Sequence, residues 1–68
     1  MVRILFRRYV VLFNNTNIRK VEVMDGMGRV VATFEDSYVI DLSNLSKGYY
    51  VLRITTPEGV AIRKVVRK

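Results

Sequence analysis

The side chains that could do chemistry in this chain are six carboxylates, Glu22, Asp25, Glu35, Asp36, Asp41 and Glu58, set in 68 residues that contain no histidine and no cysteine. Without those two residue types the usual nucleophile–base pairs cannot be assembled, and acid–base work falls to the carboxylates alone. Glu35 and Asp36 are the one adjacent acidic pair. On an extended chain successive side chains point to opposite faces, so this pair does not converge on a substrate. Gly26-Met27-Gly28 has the look of a phosphate loop, yet it lacks a third glycine and leads into a strand instead of the helix whose N-terminus would hold the phosphate. Around Asp25 and around Glu35-Asp36 the alternating oxygen ligands of a calcium loop are missing. The expectation is a protein that is not an enzyme, with no catalytic residue, no metal ligand and no cofactor.

The cations point in another direction. Twelve Lys and Arg against six Asp and Glu leave a net charge of +6, a balance that suits anionic partners such as nucleic acid or lipopolysaccharide. Arg3, Arg7, Arg8, Arg19, Lys20, Arg53, Arg63 and Lys64 are nevertheless scattered over the expected strands instead of massed in one run, as on sheets that use charge to avoid edge-to-edge aggregation. Phe6, Tyr9 and Phe13 interleave with Arg3, Arg7 and Arg8 and could form a stacking platform for single-stranded nucleic acid. Phe6 and Tyr9 stand three apart, on opposite faces of a straight strand, which argues against nucleic acid. Asn14-Asn15-Thr16 and Asn44-Leu45-Ser46 match the glycosylation acceptor pattern, which matters only in a glycosylating host.

The elements that carry these residues read as strands. Val, Ile, Thr, Tyr and Phe supply most of the bulk, Gly, Asn, Asp and Pro break the chain into short segments, and no segment sustains helical spacing of apolar residues. About six strands are expected. The first covers about Val2–Phe13, bent at Arg7-Arg8, and ends in the turn-forming Asn14-Asn15-Thr16-Asn17. The second, about Ile18–Met24, turns through Asp25-Gly26-Met27-Gly28 into a third at about Arg29–Phe34, with Val30, Ala32 and Phe34 on one face. A short fourth strand at Tyr38–Leu42 sends Ile40 and Leu42 inward around an outward Asp41. Ser43 to Gly48 is the one place for a single helical turn, with Leu45 plugging the core. Tyr49–Thr55 and Val60–Arg67, joined by Thr56-Pro57-Glu58-Gly59, complete the set. The fold class is all-β, a small antiparallel Ig-like sandwich, with a closed barrel as the other architecture open to such strands.

Length bounds the rest. Residues 1–68 make one domain at most, and with half the residues hydrophobic but no disulfide or histidine available, packing or a partner must supply stability. The apolar run Tyr9–Phe13 is too short for the hydrophobic region of a signal peptide, and no run reaches the ~18 residues of a membrane span. Uncovered edge strands would also permit a homodimer.

Four segments, in order, resemble one known family. Val21-Glu22-Val23-Met24-Asp25 with Gly28-Arg29-Val30-Val31 is similar to its strand, loop and Gly-Arg return, Met24 standing where an aromatic is usual. Ile40-Asp41-Leu42-Ser43-Asn44-Leu45 is similar to its short strand and Leu-x-x-Leu turn, and Lys47-Gly48-Tyr49-Tyr50-Val51-Leu52-Arg53-Ile54 to its Gly-x-Tyr strand. Arg63-Lys64-Val65-Val66-Arg67-Lys68 is similar to its basic, β-branched ending. Over about residues 18–68 the chain thus resembles the C-terminal sorting domain of type IX secretion cargo.

The resemblance implies an Ig-like β-sandwich found at the C-terminus of secreted proteins of Bacteroidetes-type bacteria. It implies a cargo domain on its N-terminal side, recognition by secretion machinery proteins of the outer membrane, and passage through the periplasm to the cell surface. The residues matching the sorting motifs are Asp25, Gly28, Arg29, Leu42, Leu45, Lys47, Gly48, Tyr50, Arg53, Lys64, Val65, Val66, Arg67 and Lys68. An Ig-like adhesion or carbohydrate-binding module, and a small nucleic-acid-binding β domain, are the alternatives.

Overall fold

The computed structural model describes residues 3–14 and 17–68. Val2, and the Asn15 and Thr16 of the first expected turn, lie outside the described residues. The described residues form seven strands: β1 Ile4–Arg7, β2 Val10–Phe13, β3 Lys20–Met24, β4 Val30–Glu35, β5 Val39–Asp41, β6 Gly48–Thr56 and β7 Gly59–Arg67. They build two antiparallel sheets, a three-stranded one in the order β1-β2-β5 and a four-stranded one in the order β4-β3-β6-β7. The all-β sandwich expected from the strand pattern is the fold observed.

Period-two alternation decides which side chains go between the sheets. Val11 and Phe13 of β2 and Ile40 of β5 meet Val21 and Val23 of β3, Tyr50, Leu52 and Ile54 of β6 and Val65 of β7, with Ile18 and Leu42 at the ends. Seven of these are completely or almost completely enclosed: Val11, Val21, Val23, Ile40, Leu42, Leu52 and Ile54. Each such side chain contributes about 1.5–3 kcal/mol by leaving water, the main favourable term in so short a chain.

Three expectations are corrected. The first strand is not one bent strand but two, β1 and β2, folded back with Arg7 opposite Val10 and Arg8-Tyr9 as the loop. Arg8 takes φ +58°, a conformation that glycine normally supplies in so tight a hairpin. Two adjacent cations break the apolar alternation there, and the chain uses the break to reverse direction. Secondly, Val30 does not share the inner face with Ala32 and Phe34: the β3/β4 register slips between Val23 and Met24, pairing Val23 with Ala32 but Met24 with Val30. This one-residue bulge leaves both Val30 and Val31 exposed. Thirdly, residues 43–47 form a turn without a helix; the Leu45 N–H reaches the Leu42 carbonyl at 3.0 Å, and Leu45 packs partly buried against the core.

Candidate functional site

Most residues of the sorting motifs hold turns and core together. Asp25 organises the β3–β4 connection: its Oδ1 accepts the backbone N–H of Met27 at 2.9 Å and of Arg29 at 3.0 Å, and its Oδ2 meets the Arg29 guanidinium at 3.1 Å. Those contacts, the Arg29 N–H first, hold the Asp25 carboxyl below the usual carboxylate range. Gly28, at φ +81°, donates its N–H to the Asp25 carbonyl at 3.0 Å and lets the chain turn back. At the end of β5 Asp41 acts in the same way, its Oδ1 accepting the Ser43 N–H at 2.8 Å. That bond, aided by the nearby Arg67 guanidinium, lowers the Asp41 carboxyl in the same direction.

Leu42 is buried and Leu45 lies beneath the turn that follows. Gly48 opens β6, Lys47 is exposed just before it, and Tyr50 reaches back so that its hydroxyl donates to the Ser46 carbonyl at 2.6 Å. Arg53, on the outer face of the four-stranded sheet, pairs with Glu22 across the β3/β6 ladder at 2.8 Å. Asp25, Gly28 and Arg29 therefore form one turn, and Leu42, Leu45 and Tyr50 one end of the core. Lys64, Val65, Val66, Arg67 and Lys68 form a separate group at the far end of the chain.

Lys64 to Arg67 lie on β7 and Lys68 follows it; β7 pairs with β6 from Gly48↔Arg67 to Thr56↔Gly59 and, among the described residues, has no strand on its other side. The β6–β7 loop is Pro57-Glu58, so Thr56 and Gly59 form the closing, hydrogen-bonded pair, and bonded pairs recur at every second residue. Ala61, Arg63, Val65 and Arg67 bond to β6. The N–H and C=O of Val60, Ile62, Lys64 and Val66 consequently point along the open edge, and these four side chains are exposed. Val65 is buried in the core and anchors the strand.

The end of β7 meets the β1–β2 hairpin. The Arg67 guanidinium sits 5.7 Å from the centre of the Tyr9 ring, and its buried Nε has no hydrogen-bond partner among the described residues. Phe6, Arg8 and Tyr9 on one side and Val66 and Lys68 on the other line a groove of about 520 Å³. The hairpin thus brings Phe6 and Tyr9 to one groove, against the expectation for a straight strand. No cluster of residues among those described could hold a metal ion.

A model of the secretion system C-terminal sorting domain matches residues 5–68. The chain belongs to that family. No curated protein and no solved structure matches it. Membership of this type IX secretion sorting family implies a secreted, cell-surface-directed protein, and interaction with secretion machinery and an N-terminal cargo. The match also takes in β2 and all of β1 but Ile4, beyond the resemblance over about residues 18–68, whose motifs have no counterpart before residue 18. Among the described residues no helix is long and apolar enough to cross a membrane.

Proposed function

We propose that this sorting domain is a non-enzymatic address module, read in the periplasm by the outer-membrane type IX translocation machinery through strand addition to the open edge of β7. One observation carries the reading: the basic ending matched to the family runs from Lys64 on β7 to Lys68 just past it, and among the described residues no strand pairs with the outer edge of β7. Strand addition draws its affinity from main-chain hydrogen bonds and its selectivity from alternate side chains, and here Lys64 and Val66 alternate along the outer face. The remaining motif residues, from Asp25 to Arg53, act at a distance by holding β6 and its neighbours in place.

The test fuses residues 1–68 behind a reporter with a Sec signal in a type IX-competent cell. Removing Val65–Lys68 should abolish surface delivery, but it also removes the buried Val65. Lys64→Pro is the cleaner variant, because it deletes an N–H that faces the open edge and leaves the bonds to β6 in place. Loss of surface reporter with unchanged thermal melting supports the reading. Normal delivery of the folded Lys64→Pro fusion rules out capture through this edge.

A further inference from the structure

Open strand edges accept many partners, and the surroundings of this one narrow the choice. Arg8 and Lys68 line the groove between β1 and β7, and with Arg7 they are exposed cations that form no ion pair among the described residues. Lys64 stands on the adjacent edge, with its ammonium 5.6 Å from the centre of the Tyr49 ring. The apolar floor comes from Phe6, Tyr9 and Val66. Arg8 keeps its left-handed φ of +58° at a hairpin tip where asparagine or glycine would sit with less strain, and this places a guanidinium at the mouth of the groove. A second copy of this chain fits poorly, since its β7, Gly59–Arg67, has no carboxylate to set against Arg8 and Lys68, and pairing would join molecules each carrying +6.

We propose that the groove between β1 and β7 takes an extended acidic segment of a partner protein, which adds as a strand to the open edge of β7 and sets carboxylates against Arg8 and Lys68. The inference rests on the sorting reading above and names the chemistry of the partner. Apolar residues of the incoming strand, alternating with the acids, cover Phe6, Tyr9 and Val66, while its backbone bonds to the outward groups of Lys64 and Val66. Charge selects and orients the strand, and the backbone ladder holds it.

The probe is a synthetic peptide of about ten residues alternating glutamate with valine, compared with one in which lysine replaces glutamate, both titrated into the 68-residue chain and followed by backbone amide shifts. The glutamate peptide should bind at least about tenfold more tightly, with the advantage shrinking in about 0.5 M salt. Shifts should concentrate at Val60, Ile62, Lys64, Val66, Arg8 and Tyr9. Arg8→Asn, which tolerates the same turn conformation, combined with Lys68→Gln should erase the preference without lowering the melting temperature. Equal binding of the two peptides, no binding, or shifts gathered on the outer face of the three-stranded sheet, where exposed Leu5, Leu12 and Val39 pair across β1, β2 and β5, overturns the proposal. The reporter assay separates this from the parent reading: delivery that survives the double variant removes the acidic partner but not the sorting role. Failure of the unaltered fusion to reach the surface removes the sorting role, whatever the peptides do.

Discussion

Arg67 and Tyr9, 58 positions apart in the chain, meet with the guanidinium 5.7 Å from the ring centre, and this contact joins the edge strand β7 of one sheet to the first hairpin of the other. A cation over an aromatic face contributes about 0.5–1 kcal/mol at an exposed site and more where water is excluded. A double-mutant cycle with Tyr9→Leu and Arg67→Met should give a coupling of about 0.5–1 kcal/mol in urea unfolding. Strict additivity would show that the two side chains are neighbours without attraction.

Tyr50→Phe isolates the bond that ties the end of the core to the turn before β6. Its hydroxyl donates to the Ser46 carbonyl at 2.6 Å in a partly buried setting, while its ring fills the core. Loss of the hydroxyl alone should destabilise the fold by about 1 kcal/mol, read from the shift in the urea midpoint at constant slope.

Leu52→Ala should cost about 2–5 kcal/mol, because Leu52 is completely enclosed at the centre of β6 between β3 and β7. In a chain of 68 residues without disulfides that is a large share of the total stability. Far-ultraviolet circular dichroism at 25 °C should show a substantial unfolded fraction, and a melting curve close to that of the parent chain would mean that the core collapses around the gap.

Acid should weaken the fold through Asp25 and Asp41. Both carboxyls are held below their ordinary value by backbone N–H donors, from Arg29 and Ser43 respectively. The unfolded chain binds protons at these groups more readily than the folded one. Their stabilising contribution is therefore complete above the unfolded value of about 4 and fades as pH falls through the lower folded values. Urea midpoints should drop between about pH 4 and pH 2, and the Asp25→Asn, Asp41→Asn chain should show a flatter profile over the same window.

The β7 strand and its basic residues were legible in the sequence, because Val60–Arg67 is rich in β-branched residues, follows the Pro57-Glu58-Gly59 turn and ends the matched motifs. The hairpin at Arg8-Tyr9 was not, since neither residue is a turn former and the left-handed φ of Arg8 goes against its type. The groove was hidden with it, because Phe6 and Tyr9 share a side only once the chain has turned back between them. The bulge at Met24 and Val30 was equally concealed: a slip of one residue changes which face a side chain takes, and nothing in Arg29-Val30-Val31 marks where it falls.

Sequence alone determined the strand content, the inward residues of β3, β5 and β6, and the turns at Asp25–Gly28 and Pro57–Glu58, since all of these follow from alternation and from residues with strong local backbone preferences. Tertiary structure alone decided that β7 takes a sheet edge, that Phe6 and Tyr9 share one groove with Val66, and that Arg67 reaches Tyr9. Those relationships arise from pairing between strands far apart in the chain, where many arrangements satisfy the same alternation and only the packing of the whole core selects among them.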